Sequence, residues 1–162
     1  MASKAGGIAV LVVFGLAALG STDGCDVGDG GDGEFLDSEA PTCDGVVVVE
    51  TASGRVQVPG DTSTLGSDDS ANCVMRDGSG TDDAILVLQD ALVRCNGQNV
   101  GLDGDYGAQT TQAVINVQQQ HGVTADGAYG PATLEVMGWV STGSGGCVSG
   151  VSVGSAVVDV ST

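Results

Sequence analysis

Two copies of one short motif constrain this chain more than any other feature of its sequence. Residues 100–114 read VGLDGDYGAQTTQAV, and residues 123–137 read VTADGAYGPATLEVM, which begins 23 residues later. Five residues recur at equivalent positions: Asp103, Gly104, Tyr106, Gly107 and Thr110 in the first copy, and Asp126, Gly127, Tyr129, Gly130 and Thr133 in the second. The block from residue 84 to residue 139 is therefore predicted to contain two similar halves, around which the rest of the chain is arranged.

Three helices are predicted in and around this repeat. They cover residues 81–96, residues 108–121 and a shorter segment that begins at Pro131. In the first helix, Ile85, Leu88 and Leu92 recur at the spacing of one helical face, and Thr81 can cap the N-terminus. Glycines follow the first two helices as stop signals, and a proline is tolerated at the first helical position of the third.

Each copy of the Asp-Gly-x-Tyr-Gly motif is predicted to form the turn that precedes a helix. Glycine adopts the positive φ angles that tight turns require. An aspartate side chain accepts hydrogen bonds from backbone amides of its own turn. The residues predicted to have this structural role are Asp103, Gly104, Gly107, Gly127 and Gly130.

Together these motifs resemble the peptidoglycan-binding domain family, in its PGBD-like or PG_binding_1 form. The resemblance is carried by Ile85, Leu88, Gln89 and Leu92, by Asp103, Gly104, Tyr106, Gly107, Thr110, Ala113, Val114 and Gln118, and by Gly122, Val123, Asp126, Gly127, Tyr129, Gly130, Pro131 and Thr133. It covers about a third of the chain. It implies a mainly α fold, a three-helix bundle of two half-repeats, whose members bind peptidoglycan without performing chemistry. Val117 departs from the pattern, since the family usually has an aromatic residue there, and the smaller side chain loses core volume.

A ligand site is predicted in a shallow groove between the second and third helices. Tyr106 and Tyr129 would stack on the sugars or peptide stems of peptidoglycan, while Thr110, Gln118 and Asp126 would bond its amides. Packing inside the turns is the alternative role for both tyrosines.

The sequence offers no convincing catalytic set. His121 is the only histidine, which excludes zinc peptidases and amidases with two or more histidine ligands. The Asp103 and Asp126 carboxylates occupy turn positions, so structural bonding is a better interpretation than the carboxylate pair of a glycosidase. We therefore predict a protein that is not an enzyme and that has no metal and no cofactor.

The charge balance limits the possible partners. The chain contains 4 Lys and Arg residues and 21 Asp and Glu residues, which gives it a net charge of −17. Nucleic acids and anionic membrane surfaces both need basic footprints, so neither is an expected partner. Peptidoglycan is the expected ligand, with a cell-wall hydrolase as a further candidate partner. Since wall polymers are largely anionic, binding would have to depend on short-range contacts.

The N-terminal region is predicted to direct export. Residues 1–20 have the apolar run and small residues of a bacterial signal peptide, with an uncleaved helical anchor as the alternative. Residues 21–42 are rich in Gly and Asp and are predicted to be a disordered linker. The protein is therefore expected to be secreted or associated with the cell envelope, and to meet a membrane only through its leader or a lipid anchor.

The segments on either side of the repeat domain, which is bounded at residues 72–140, have strand character. In residues 43–71, two β-branched runs flank Ser53-Gly54, a pattern that predicts a small hairpin followed by a connector. Residues 141–162 form a Gly/Ser/Val tail, part of which is predicted to add a third strand to the hairpin.

Five cysteines in an exported chain leave one unpaired. We expect that one to be Cys25, as a lipidation site or as a free or intermolecular thiol. The other four can pair in three ways, and we predict Cys73 with Cys95 and Cys43 with Cys147, because Cys73 and Cys95 flank the first helix. Some secreted members of the family have a similar pair.

Two functions from different classes fit these features. The first is a non-catalytic, exported peptidoglycan-binding protein. The second is a secreted structural or protein-interaction module that uses the same bundle as a scaffold, without binding the wall.

Overall fold

The computed structural model describes residues 40–155 and the strand Val157–Asp159. The predicted leader, almost all of the predicted linker and Cys25 lie outside the described residues. None of the helices in the described part of the chain has the length and hydropathy that a membrane span requires.

An antiparallel hairpin opens the described part of the chain. Strand β1 (Gly45–Thr51) pairs with β2 (Gly54–Gly60) in a regular register along their whole length. Gly54 has a φ of 130°, a conformation that glycine adopts without a steric penalty. The valines on one face of the hairpin are buried: Val47, Val49, Val56 and Val58. The predicted hairpin is confirmed.

The tail adds strands to this hairpin. The short strands β3 (Trp139–Val140) and β4 (Cys147–Val148) pair with each other, and β5 (Val157–Asp159) pairs antiparallel with β1. The main sheet therefore has the order β2-β1-β5, which confirms the predicted third strand. An antiparallel bridge between Val56 and Ser141 joins the tail to the other edge of the hairpin.

A short 3-10 helix (Thr62–Thr64) follows the hairpin, and three α-helices come after it, as predicted. They are α1 (Asp82–Cys95), α2 (Ala108–His121) and α3 (Pro131–Val136). Thr81 is the N-cap residue of α1, although its side chain makes no capping hydrogen bond. Gly122 ends α2 in the left-handed conformation, and its N–H bonds the carbonyls of the last helical turn.

The helices and the hairpin share one hydrophobic core. Leu88 and Leu92 of α1 pack in the same buried cluster as Val58 of β2 and Trp139 of β3. The Trp139 indole N–H donates to the Leu134 carbonyl at 3.0 Å, so the polar atom of this buried ring is paired. A two-stranded ribbon is marginal alone, and this packing on α1 is what stabilises it.

The predicted disulfide pairing is wrong. The bonds join Cys43 to Cys73 and Cys95 to Cys147, instead of Cys73 to Cys95 and Cys43 to Cys147. The chain around Cys43 runs beside the segment that contains Cys73, since the Cys43 N–H donates to the Val74 carbonyl at 3.1 Å. Cys95, at the end of α1, lies beside β4, where Cys147 begins the strand. Contacts between segments that are distant in sequence therefore decide the pairing, and the positions of the cysteines beside the first helix do not reveal these contacts.

Removal of either disulfide is expected to destabilise the fold by roughly 4 kcal/mol, because each bond closes a long loop and so restricts the unfolded chain. The bonded cysteines are 30 and 52 residues apart. Urea unfolding of the paired variants Cys43→Ala/Cys73→Ala and Cys95→Ala/Cys147→Ala measures the loss. Peptide mapping without reduction checks the pairing directly, and a peptide that links Cys73 to Cys95 would contradict the structure.

Candidate functional site

A buried glutamine holds the first turn of the repeat. The Gln89 side chain is fully buried, and its Nε2 donates to the Asp103 carboxylate at 2.7 Å and to the Asp105 carbonyl at 3.1 Å. The Thr110 hydroxyl accepts from the same nitrogen at 3.1 Å. The Gln89 Oε1 accepts from the backbone amides of Asp103 and Gly104, both at 3.0 Å. Every polar atom of this amide is therefore satisfied by the turn that precedes α2.

The second turn is held in the same way. Gln118 is 2% exposed, and its Nε2 donates to the Asp126 carboxylate and the Ala128 carbonyl, both at 2.9 Å, and to the Thr133 hydroxyl at 3.0 Å. Its Oε1 accepts from the Gly127 amide at 2.9 Å. The repeat in the sequence thus encodes a repeated hydrogen-bond network, which we call the glutamine clamp.

Sequence reasoning found the aspartates and glycines of these turns but not the role of Gln89. Each carboxylate accepts a backbone N–H two residues ahead, as the turn chemistry requires. Gln89 lies 14 residues before its aspartate, whereas Gln118 lies only 8 residues before its own. This unequal spacing hides the equivalence of the two glutamines, although both match the pattern of the family.

Both tyrosines of the repeat lie in the interior. Tyr106 is 1% exposed, and its hydroxyl donates to the Gly127 carbonyl at 2.9 Å, which ties the first turn to the second. Tyr129 is fully buried and packs edge-on against Trp139, with 6.0 Å between ring centroids. Burial raises the pKa of both phenols well above the usual value. Both side chains are therefore neutral packing groups.

Of the five residues predicted to contact a ligand, only Asp126 has an exposed side chain. The other four are at most 2% exposed: Tyr106, Thr110, Gln118 and Tyr129. Such side chains have no surface with which to touch a ligand in this structure, so it does not support a contact role for them. Packing inside the turns, the alternative role considered for the tyrosines, describes both of them.

The outer side of α2 offers a different surface. Gln112, Asn116 and Gln119 lie in one line along the helix, and we call this the amide face. The Gln112 Nε2 donates to the Asn116 Oδ1, and the Asn116 Nδ2 donates to the Gln98 Oε1, both at 3.0 Å. The helix sequence, AQTTQAVINVQQQH, contains no Asp, Glu, Lys or Arg. In a chain with a net charge of −17, this face is an uncharged surface rich in donors and acceptors.

The carboxylates of the two turns have structural partners. Within residues 40–155, no group of three or more His, Cys, Asp or Glu side chains is placed to hold a metal ion. The Asp105 amide and then Gln89 hold the pKa of Asp103 below its usual value, whereas a general acid needs a raised pKa. Both turn carboxylates are thus engaged as hydrogen-bond acceptors.

Loss of either clamp is expected to lower the free energy of unfolding by about 3 kcal/mol, because several buried turn groups lose their partners. We expect this for Gln89→Ala and for Gln118→Ala, measured by urea unfolding. Gln120→Ala is the matched control, since Gln120 is exposed on α2 and its truncation should change stability by less than about 0.5 kcal/mol. Equal stability of the clamp variants and the control would contradict the assigned role.

Acid is expected to weaken the first turn through Asp103. Because its pKa in the folded protein is lowered from 3.8, the ionised carboxylate stabilises the fold above that pH. This stabilisation is lost as the pH falls below 3.8 toward the lower pKa of the folded state. The measurement is urea unfolding between about pH 5 and pH 2, where Asp103→Asn should show a shallower decline than the wild type. Parallel curves would contradict the prediction.

Comparison with known proteins finds a similarity over the helical part of the chain. Residues 81–137 match the family model described as "Putative peptidoglycan binding domain". The "Probable N-acetylmuramoyl-L-alanine amidase" of Bacillus licheniformis is 46% identical over 37 residues, which cover 23% of this chain and 10% of the amidase. The chain thus spans only about 10% of that relative's length. No solved structure matches the chain. Over residues 81–137, about a third of its length, the chain is therefore similar to the peptidoglycan-binding domain family.

Proposed function

We propose that this protein binds peptidoglycan without catalysing a reaction on it. The observation that carries the proposal is the family domain at residues 81–137, whose two clamped turns fix the three helices relative to one another. The proposal places binding on the amide face of α2.

Charge favours the amide face as the contact surface. An acidic protein and an anionic polymer repel each other, so contact is most favourable where the protein has no charge. Primary amides both donate and accept hydrogen bonds, which suits the peptide amides and the acetylated sugars of peptidoglycan. Gln112 and Gln119 are exposed, and Asn116 is partly buried beside them.

The protein would act outside the cytoplasm. Two disulfides fit an oxidising compartment, and a wall-binding domain fits the same location. The relative named as an amidase motivates a cell-wall hydrolase as a partner. In this proposal the chain supplies binding, and any hydrolysis belongs to the partner.

A second candidate function is a scaffold that meets another exported protein and does not bind the wall. Its support is the burial of four of the five expected ligand residues, which leaves those side chains without a surface for the wall polymer. Cosedimentation with the wall separates the two functions.

The exported chain is expected to sediment with purified insoluble peptidoglycan at both low and high salt. The variant Gln112→Glu/Asn116→Asp should bind about tenfold more weakly, because two carboxylates would then face an anionic ligand. The control Ala52→Glu/Ser149→Asp adds the same charge at exposed positions outside the domain and should bind like the wild type.

If the wild type stays in the supernatant at both salt concentrations, the proposed wall binding is wrong and the scaffold function is favoured. If both double variants lose the same affinity, total charge governs binding and the amide face is not the contact surface.

A further inference from the structure

A cleft of about 450 Å³ opens on the side of α1 that faces the hairpin and the tail. Leu86, Asp90 and Arg94 line it from α1, Gln57 lines it from β2, and Ser141 lines it from the segment after β3. Its volume falls within the roughly 300–1,000 Å³ that small-molecule sites occupy. Gln57 and Ser141 lie outside residues 81–137, so the family domain alone does not form this cleft.

The polar groups of the cleft have unused hydrogen-bonding capacity. Within the described residues, the Gln57 side-chain amide makes no hydrogen bond. The Ser141 hydroxyl is 5% exposed and accepts from the Gly143 and Ser144 amides at 3.4 Å, which leaves its proton free to donate. Asp90 accepts a hydrogen bond from Arg94 through one carboxylate oxygen at 3.2 Å, and its other oxygen accepts none from the part of the chain that the structure describes. A ligand with several hydroxyl or amide groups would satisfy these atoms.

The lining carries no net charge. Asp90 and Arg94 form an ion pair, and the second terminal nitrogen of Arg94 donates to the Gly145 carbonyl at 3.0 Å. The guanidinium is therefore already neutralised and positioned, which disfavours an anionic ligand. Leu86, which is 37% exposed, and the neighbouring Val87 and Val140 add an aliphatic surface. Aliphatic surface beside amide and hydroxyl groups suits a sugar ring, which has apolar C–H faces and polar edges.

We propose that this cleft is a second binding site, for a short uncharged carbohydrate. The identity of the natural ligand rests on the proposed function: in a wall-binding protein, the carbohydrate is an acetylated amino-sugar segment of the glycan strand. The α2 amide face and the α1 cleft would then contact different parts of one polymer.

The probe is a linear trimer of N-acetylglucosamine, added to the exported chain with both disulfides intact. We expect it to shift the backbone amide resonances of Gln57, Asp90 and residues 141–145. It should also change the fluorescence of Trp139, the only tryptophan, because Val140 beside it lines the cleft.

Gln57→Ala and Ser141→Ala should each weaken trimer binding by about tenfold, since each removes one hydrogen-bonding group from the cleft. Gln120→Ala and Ser149→Ala are the matched controls at exposed positions away from the cleft, and both should bind like the wild type. Among the described residues the Gln57 side chain has no hydrogen-bond partner, so its variant tests the site even if Ser141→Ala disturbs the turn.

The proposal is overturned if millimolar trimer leaves the cleft resonances unchanged, if it shifts only residues of α2, or if a peptide stem fills the cleft and the trimer does not. Cosedimentation of the same protein with peptidoglycan separates this failure from that of the proposed function. Sedimentation without trimer binding refutes only the cleft site. Trimer in the cleft without sedimentation supports the cleft as a carbohydrate site and refutes wall binding.

Discussion

The fold of the helical domain depends on two buried primary amides. A buried amide destabilises a protein unless its donors and acceptor are all paired, so Gln89 and Gln118 fix the turns that surround them. Gln89 extends from α1 to the turn before α2, and Gln118 extends from α2 to the turn before α3. Each helix therefore positions the start of the next one. The Tyr106 hydroxyl connects the two turns directly, because it donates a hydrogen bond from the first turn to the carbonyl of Gly127 in the second.

Local signals in the sequence were enough to predict the three α-helices and the hairpin. The bounds of α2, the hairpin and the proline at the start of α3 follow from glycine stops, β-branched runs and the fixed φ of proline. Contacts between distant segments were not predictable in this way. Cys43 meets Cys73 because their two segments run side by side, and nothing in the spacing of the cysteines records that geometry.

The predicted ligand residues show the same limitation. A tyrosine in a polar turn suggests an exposed ring, yet this chain has only five aromatic residues, two Phe, two Tyr and one Trp. A core of small aliphatic side chains gains most from its largest members. Tyr106, Tyr129 and Trp139 are accordingly its largest fully buried side chains. The local sequence pattern places the tyrosines in the turns. The rings point into the interior because the small aliphatic core needs their volume.

Helix α1 connects the family domain to the segments that flank it. One side of it carries Gln89, which clamps the first turn, and the next residue, Asp90, lines the cleft on the side that faces the hairpin and the tail. The hairpin supplies Gln57 to the opposite wall, and the Cys95–Cys147 bond holds the tail at the end of the same helix. Both glutamine clamps are formed by residues within 89–133, whereas the cleft is formed by the hairpin, the tail and α1 together. A change that detaches the tail would thus open the cleft and leave both glutamine clamps intact.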